Sequence, residues 1–499
     1  MACQPPTLPK PGPPKATVDP ADPKHKRWFL AKGPTVFGGN SVTTFTDATE
    51  MWARLRDDML NLAVGKGAFI YLLGLDITLD TVMGRPGSGR PTLETVLTAT
   101  DKRGVQVRAM LQPGFSNADT IAFITDALGQ GAILDNKRPP GGAHHQKLAI
   151  ISGRGGTLAY CGGMDIQSAR AGWHDMHARV TGPAVKDIWV IFSQRWTDHP
   201  DSTKFKTKSG VDNGAVVSPA DQKPEKGQAA IQVVRTYGNG AGYAFARRGE
   251  HTIYDLLRHA IKQTKEFIYL EDQYLSNTQA AKAGPPVSDL LAAKLTEEGF
   301  KELVILIART EALNSSGELG RQGWHRRKVF IDKLQAAAKD KVSVCQYKLT
   351  DPKQPVSYGS VPSHPLFVHS KTWIFDDRFT LFGSANCHRQ GYTASSEANL
   401  GIADPNPDAN RPFFAHRLRM DLWMKHLNPV GAANKVFHEK DVADPIASAK
   451  FWRCPHPQSP IEPYAVDGHK RAPKIEQDKV MKPADAEKAW QTFDPDGSV

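Results

Sequence analysis

Two short stretches of the chain each carry a histidine and a lysine separated by one residue and followed by an apolar run. The first, HHQKLAII, contains His145 and Lys147, and the second, HSKTWIFD, contains His369 and Lys371. If these runs are β-strands, residues i and i+2 lie on the same face, so each imidazole lies beside an ammonium group. An imidazole can attack phosphorus or protonate a leaving oxygen, and lysines can neutralise phosphate oxygens. This combination favours chemistry on a phosphodiester.

A glycine-rich turn follows each pair: GGMD at 162–165 and GSAN at 383–386. Glycines allow the backbone to approach a bound phosphate closely, and Ser384 and Asn386 can donate hydrogen bonds to it. Asp165 occupies the position in the first turn that Asn386 occupies in the second. The residues expected to contact the substrate phosphate are Lys147, Lys371, Ser384, Asn386 and Asp165.

Each histidine also needs a group that fixes its ring and tautomer. Asp175, in WHDMHARVTGP, lies 30 residues after His145, and Glu397, in SSEANL, lies 28 residues after His369. An acid embedded in an aromatic or apolar run is a poor candidate for a solvated surface charge. The expected catalytic residues are His145, Lys147, His369, Lys371, Asp175 and Glu397.

No metal or cofactor is expected, because the lysines provide fixed positive charge at the site. A zinc site built from His144 and His145 is the main rival, but adjacent strand residues face opposite sides, which disfavours it. The five cysteines show no CxxC spacing that would indicate zinc or a redox pair. A GxSxG nucleophile elbow and a P-loop are also absent from the sequence.

The elements around the two motifs recur in the same order: helix, apolar strand, second apolar strand, His-x-Lys run and glycine-rich turn. The matching segments are 51–67 and 251–265, 68–77 and 266–275, and 105–111 and 302–309. This long-period duplication predicts an α/β protein with two homologous halves, each a mixed sheet flanked by helices. Packing about a pseudo-twofold axis would bring the two motifs into one site.

Composition predicts where the parts begin and end. Residues 1–27 form a Pro-rich arm, 28–200 the first half, 201–228 a polar connection, 229–427 the second half, and 428–499 a Pro-rich tail. We expect the tail to wrap over the body or to be partly disordered.

The overall composition is that of a globular protein with a phosphate-rich partner. Hydrophobic residues make up 40% and charged residues 23% of 499, and the net charge is +11. Such a charge favours nucleic acid, an anionic membrane or a phosphorylated small molecule. The N-terminal segment lacks the apolar region of a secretory signal, and no run of 18 apolar residues occurs, so synthesis in the cytoplasm without a signal peptide is expected.

These residues resemble the signature of the phospholipase D superfamily, His-x-Lys-x4-Asp, which is normally present twice and is followed by a glycine-rich turn. HSKTWIFD matches the signature through Asp376, whereas the first copy has Ser152 in place of the aspartate. The resemblance covers about 36–427. Segments such as FIYLEDQYL (267–275) are similar to those of true phospholipases D rather than to those of nucleases of the superfamily.

The resemblance implies two α-β-α sandwich halves and a phosphohistidine intermediate, with His145 as nucleophile and His369 as acid and base. The implied function is hydrolysis of glycerophospholipids to phosphatidic acid and a free head group, or transfer to an alcohol. One alternative is a metal-independent nuclease or other phosphodiesterase with the same chemistry. Another is an inactive lipid- or phosphate-binding module, for which Ser152 is the only indication.

Similar bacterial phospholipases D include antibacterial toxins that a type VI secretion apparatus delivers. This resemblance implies export and action on the membranes of a target cell, although a plain cytoplasmic enzyme fits the sequence equally well. The expected partner is a phospholipid at a membrane surface, with an immunity protein or a component of the secretion apparatus as further partners. Nucleic acid is the less favoured partner.

Overall fold

The structure is a computed structural model, and one continuous mixed sheet dominates it. It describes residues 23–85, 87–139, 142–207, 210–211, 214–224, 229–276, 284–309, 318–348, 367–404, 414–429 and 435–464. Within these residues, sixteen strands belong to that sheet. No helix in the described part is long and apolar enough to cross a membrane.

Within the described residues, the first half of the chain contains seven strands and four α-helices. The strands are β1 (Val36–Phe45), β2 (Phe69–Gly74), β3 (Gln106–Leu111), β4 (Gly131–Leu134), β5 (Lys147–Gly153), β6 (Gly156–Gly162) and β7 (His177–Thr181). The helices are α1 (Ala48–Leu62), α2 (Leu93–Asp101), α3 (Asn117–Ala122) and α4 (Val185–Asp198). A separate two-stranded ribbon, β8 (Lys206–Thr207) and β9 (Gly210–Val211), lies in the connection.

The second half repeats this arrangement and continues into the tail. Its strands are β10 (Ala229–Tyr237), β11 (Glu250–His251), β12 (Phe267–Asp272), β13 (Glu302–Ile307), β14 (Val342–Tyr347), β15 (Thr372–Phe375), β16 (Phe379–Gly383) and β17 (Glu397–Ala403). Its helices are α5 (Thr252–Gln263), α6 (Val287–Thr296), α7 (Glu318–Ala338) and α8 (Phe414–Leu427). The tail adds α9 (Glu439–Val442), α10 (Pro445–Ser448), α11 (Lys450–Arg453) and β18 (Ile461–Pro463).

The strand order reveals the pseudo-twofold symmetry. From its centre the sheet runs β10-β17-β16-β15-β12-β13-β14 in one direction and β1-β7-β6-β5-β2-β3-β4 in the other. The central strands β1 and β10 pair antiparallel, with Val36 opposite Gln232. Each half therefore contributes the same sequence of strands outward from this pair. The prediction of an α/β fold with two homologous halves about a pseudo-twofold axis is confirmed.

Helices cover both faces of the sheet, because strands inside each half are buried on both sides. Every residue of β2 and of β12 is buried, the pattern of strands covered on two faces. On one face, α4 and α8 share an apolar core that includes Phe192 and Trp423. On the other face, α1 to α3 and α5 to α7 form separate cores, around Trp52 and Leu256 respectively. Each half is therefore an α-β-α sandwich.

Residues near both ends of the described chain contact parts of the fold outside the segments to which composition assigns them. Trp28, placed by composition at the start of the first half, stacks on Phe379 of the second half at 5.6 Å between ring centroids. In the tail, β18 extends the sheet by pairing with β14, with Pro463 opposite Cys345. Residues 1–22 and 465–499, most of the predicted arm and half of the tail, lie outside the described residues.

Asp376, the aspartate of the second motif, has a structural role. It follows β15, so the whole strand separates it from Lys371, which precedes β15. Its carboxylate accepts the backbone N–H groups of Lys265, Glu266 and Phe267 at 2.7, 2.9 and 2.9 Å. The aspartate thus ties the end of β15 to the segment that opens β12.

The first half makes the corresponding connection without an aspartate. Ser152, at the matching position, shares a hydrogen bond with Thr157 at 2.8 Å. The turn that follows binds the α1–β2 connection through its own backbone, since the amide of Arg154 donates to the carbonyl of Val64 at 2.8 Å. Ser152 is therefore not an indication of an inactive site.

We predict that Asp376→Asn lowers stability and leaves the chemistry intact. The amide nitrogen of asparagine would face one of the three N–H donors, so the free energy of unfolding should fall by about 1–3 kcal/mol. Urea denaturation of the variant and of the wild type measures this difference. Ser152→Ala, which removes only one partly buried hydroxyl contact, is the control and should cost about 1 kcal/mol or less. A large fall in turnover per folded molecule of Asp376→Asn would contradict a purely structural role.

Candidate active site

Two backbone bridges join the halves beside the two histidines. In the first, the amide of His145 donates to the carbonyl of Ser396 at 2.9 Å, and in the second, the amide of His369 donates to the carbonyl of His174 at 2.8 Å. Ser396 and His174 each return a 2.8 Å hydrogen bond to the residue two before the histidine. These bridges place the segment before β17 against the first motif and the segment before β7 against the second.

Each histidine is consequently held by the acid of the other half. The Nδ1 atom of His145 lies 2.9 Å from Oε2 of Glu397, and Nδ1 of His369 lies 2.5 Å from Oδ2 of Asp175. In the sequence, Asp175 follows His145 and Glu397 follows His369, so chain order suggests the opposite pairing. The pairing crosses because β7 and β17 flank the central strands, next to the pseudo-twofold axis. Neither half alone contains both members of the His145–Glu397 pair or of the His369–Asp175 pair.

The surroundings keep both imidazoles neutral. Burial, with Lys147 and Lys371 close by, lowers the pKa of His145 well below its usual value. Burial and the same two lysines, together with Arg170, do the same for the pKa of His369. When the acid accepts a hydrogen bond from Nδ1–H, the free lone pair of the neutral ring is on Nε2. A neutral imidazole held in this way can act as a nucleophile or a base.

The two lysines lie at the site, but not through the strand alternation that the sequence suggests. The strands begin only at Lys147 and Thr372, because the preceding residues form the bridges between halves. Lys147 Nζ instead turns back to the carbonyl of His145 at 2.9 Å, and Lys371 Nζ donates to the carbonyl of His369. Both ammonium groups are buried, so a phosphate entering the site meets two poorly solvated cations.

Asp165 has a different role from the predicted phosphate contact. Its Oδ2 atom lies 3.4 Å from Nζ of Lys147 and pairs with Arg170, while Oδ1 accepts the amide of Leu75 at 3.0 Å. Although burial raises its pKa, Lys147 and Arg170 outweigh burial and the pKa of Asp165 is lowered. An ionised carboxylate repels a phosphate, so Asp165 positions Lys147 instead.

Ser384 also differs from its predicted role. Its hydroxyl donates to Oε2 of Glu397 at 2.5 Å and accepts the amide of Ala398 at 3.0 Å. It therefore holds the acid that holds His145. Asn386 is 4% exposed, and its Oδ1 atom has no hydrogen-bond partner among the described residues. Ser384 is thus committed to Glu397, and Asn386 stays the predicted phosphate donor of the second turn through its Nδ2–H group, since its Oδ1 atom can only accept.

Sequence reasoning missed three neighbours of His369 and Lys371. The ring of Trp173 packs 5.1 Å from that of His369, and the guanidinium of Arg170 lies 5.2 Å from the centre of the Trp173 ring. Gln273 Oε1 accepts from Lys371 Nζ at 3.3 Å. Trp173 is the first residue of the WHD segment that contains Asp175 and could have been found there. Arg170 ends a short 3-10 helix, Ser168–Arg170, which no pattern in the sequence predicts.

Two family models match the chain. One, described as "Phospholipase D", matches residues 157–282, and the other, described as "Cardiolipin synthase, PLD-like domain", matches residues 257–416. The matched regions overlap and together run from β6 to the start of α8. They include the second His-x-Lys motif and both acids of the site.

The chain belongs to the phospholipase D superfamily. Among curated proteins it is similar to phospholipase D alpha 2 of Oryza sativa subsp. japonica, with 25% identity over 66% of this chain and 53% of the relative. It is also similar to phospholipase D alpha 1 of Arabidopsis thaliana, with 23% identity over 57% of this chain and 43% of the relative. The chain thus spans about half the length of the curated relatives it matches.

Among solved structures, the chain is similar to phosphatidylserine synthase of Haemophilus influenzae Rd KW20. The TM-score is 0.49 and the identity 12%, over 73% of this chain and 82% of the other. In the present chain, the first His-x-Lys motif, at 145–147, lies before both regions that the family models match. Its assignment to the site rests on the contact between His145 and Glu397.

We predict that Gly163→Ala disrupts the Asp175–His369 pair. A Cβ atom at position 163 would lie 2.2 Å from Oδ1 of Asp175, so the carboxylate must move away from the ring. Turnover should fall by about 10-fold or more, since a displaced acid no longer orients the imidazole. Gly38→Ala is the matched control, because a Cβ atom there meets nothing within 4 Å. Steady-state kinetics on a phosphodiester measure both variants, and wild-type turnover by Gly163→Ala would contradict the geometry.

We also predict a bell-shaped dependence of kcat/KM on pH. Burial raises the pKa of Asp175 to about 6, so below that pH the acid is protonated and no longer accepts from His369. Burial lowers the pKa of Lys371 to about 8, so above that pH the site loses a cation. Activity should be highest between these values and fall on both sides.

Lys371→Arg tests the assignment of the basic limb. An arginine keeps its charge far above pH 8, so the fall on the basic side should move to higher pH while the acidic limb stays in place. Measuring kcat/KM across the pH range for both proteins checks this expectation. An unchanged basic limb in the variant would show that another group causes it.

Proposed function

We propose that this protein is a phospholipase D, which hydrolyses glycerophospholipids to phosphatidic acid and a free head group through a phosphohistidine intermediate. The crossed pairing of His145 with Glu397 and of His369 with Asp175 carries the proposal. It provides two oriented, neutral imidazoles at one site, and a two-step displacement at phosphorus needs both. The names of the similar plant proteins support a lipid as the substrate.

In the first step, Nε2 of His145 attacks phosphorus and the bond from phosphorus to the head-group oxygen breaks. His369 is neutral in the free protein, but the negative charge of the bound phosphodiester favours its protonated form. The ring takes up a proton when the substrate binds and gives that proton to the departing oxygen. Lys147 and Lys371 stabilise the negative charge on the non-bridging oxygens. The products of this step are a free head-group alcohol and a phosphatidyl group bound to His145.

In the second step, the now neutral His369 takes a proton from water, whose oxygen attacks phosphorus. The bond from phosphorus to His145 breaks, and phosphatidic acid leaves. An alcohol in place of water gives the phosphatidyl alcohol. The side chain of His145 is 12% exposed against 4% for His369, which supports His145 as the group that phosphorus reaches.

The proposal predicts transfer as well as hydrolysis. Purified wild type, His145→Ala and His369→Ala are incubated with vesicles of phosphatidylethanolamine, phosphatidylglycerol and cardiolipin containing a trace of ethanol. Mass analysis of the lipids should show phosphatidic acid and phosphatidylethanol with the wild type, and a loss of about 10²-fold or more with either variant. Phosphatidylethanol would show that an alcohol can replace water as the acceptor, as a covalent phosphatidyl intermediate predicts.

Circular dichroism and melting temperature serve as the control that the variants remain folded. A folded wild type that turns over none of these lipids would contradict the proposal. Single- and double-stranded nucleic acid are then the substrates to test, because the same histidine chemistry applies to their phosphodiesters. Cleavage of nucleic acid that requires both histidines would replace the lipid with a nucleic acid substrate.

A further inference from the structure

A chain of buried side chains lies directly behind the second bridge. We call Lys425, His174, Glu271, His426 and Tyr347 the His174 cluster. Lys425 Nζ lies 2.9 Å from Nδ1 of His174, and Nε2 of His174 lies 2.8 Å from Oε2 of Glu271. Glu271 Oε1 lies 2.9 Å from Nε2 of His426, whose Nδ1 lies 2.7 Å from the hydroxyl of Tyr347. The proposed reaction uses none of these side chains.

Lys425 and Tyr347 are the hydrogen-bond donors at the two ends of the cluster, and they determine which ring nitrogens of the two histidines carry a proton. An ammonium group only donates, so Nδ1 of His174 accepts from Lys425 and its Nε2–H donates to Glu271. At the other end, Tyr347 donates to His426, whose Nε2–H donates to the same carboxylate. Burial raises the pKa of Glu271, but its contacts with His174 and His426 outweigh burial and hold the pKa well below its usual value.

The same three groups, His174, Glu271 and His426, are close enough to hold a metal ion, since their ligand atoms lie within 4.8 Å of one another. The hydrogen bonds argue against this use. A metal at Nε2 of His174 would require the proton on Nδ1, where Lys425 already donates. Without a metal, the cluster is charge-balanced, with one cation at Lys425 and one anion at Glu271, and each imidazole nitrogen has a partner.

The cluster acts on the site through His174. The carbonyl of His174 accepts the amides of His369 and Ser370 at 2.8 and 3.1 Å, and the next residue, Asp175, holds the His369 ring. The first half lacks this arrangement: alignment of β2 with β12 puts Leu73 at the position of Glu271. A different set of buried charges lies behind the first bridge, where Asp135 lies 3.2 Å from Nε2 of His144 and 2.6 Å from Arg195. The His174 cluster therefore belongs to the second bridge.

We propose that the His174 cluster positions His369 for proton transfer, with Glu271 and Lys425 as positioning residues. This inference rests on the proposed function, in which His369 protonates the leaving group and His145 attacks. Loss of either charged group would release the His174 side chain, and the backbone hydrogen bonds of the bridge alone would then hold the segment that carries Asp175. The attack by His145, which Glu397 orients, would continue.

The test separates attack from proton transfer by changing the leaving group. Wild type, Glu271→Gln and Lys425→Met are compared on phosphatidylethanolamine and on the p-nitrophenyl ester of phosphatidic acid. Nitrophenolate leaves without a proton, so its first-turnover release reports attack by His145 alone. We expect kcat on phosphatidylethanolamine to fall by about 10-fold or more with KM little changed, and the nitrophenolate burst rate to stay within about 3-fold of the wild type.

Asp377→Asn is the matched control. Asp377 is also a buried carboxylate bonded to a histidine and a cation of α8, namely His416 at 2.8 Å and Arg419 at 2.8 Å. These residues lie toward the start of α8, whereas Lys425 and His426 lie in its last turn. The control should lose stability as the cluster variants do, yet show the wild-type ratio of activities on the two esters.

Equal losses on both esters, or a ratio no different from that of Asp377→Asn, would overturn the inference. So would one equivalent of tightly bound metal in the purified protein by elemental analysis, with loss of that metal in Glu271→Gln. A wild type without activity on either ester would contradict the proposed function instead, so the two failures are distinguishable.

Discussion

The active site depends on two pairs of backbone hydrogen bonds between the halves of the chain. They join His145 to Ser396 and His369 to His174. Each bridge fixes the residue that follows its partner, and that residue is the acid that orients the other half's histidine. Backbone bonds of this kind leave little freedom for relative movement of the halves, so the imidazoles are oriented before substrate arrives. Preorganisation of this type saves reorganisation during the reaction.

The symmetry of the backbone contrasts with the asymmetry of the charges. Lys147 has the carboxylate of Asp165 within 3.4 Å, whereas Lys371 contacts the uncharged Gln273 at 3.3 Å. Glu397 receives a hydroxyl from Ser384, whereas Asp175 has only Gly163 at the matching position. Two imidazoles in identical surroundings would have the same proton affinity. In the proposed reaction, these differences between the halves allow one histidine to attack while the other carries the proton.

The cost of this site is the burial of many polar groups, and the structure offsets it by pairing them. Glu271 accepts from His174, His426 and Tyr269, and Asp376 accepts three backbone amides. An unpaired buried charge is strongly destabilising, whereas a fully satisfied network rigidifies its surroundings. Rigidity at these positions serves both the fold and the orientation of the catalytic groups.

Much of this architecture could be predicted from the sequence, because the motif is local and occurs twice. The His-x-Lys pairs, the glycine-rich turns and the repeated order of helices and strands indicate two α/β halves and a shared phosphodiester site. The partner of each histidine could not be predicted, since the His145–Glu397 contact joins residues far apart in the chain. Only the tertiary structure decides it, by placing β7 and β17 beside the central strands β1 and β10. The same holds for Asp165 and Ser384, whose side chains could reach a phosphate by type alone. Their actual partners, Lys147 and Glu397, come within reach only when the sheet has formed.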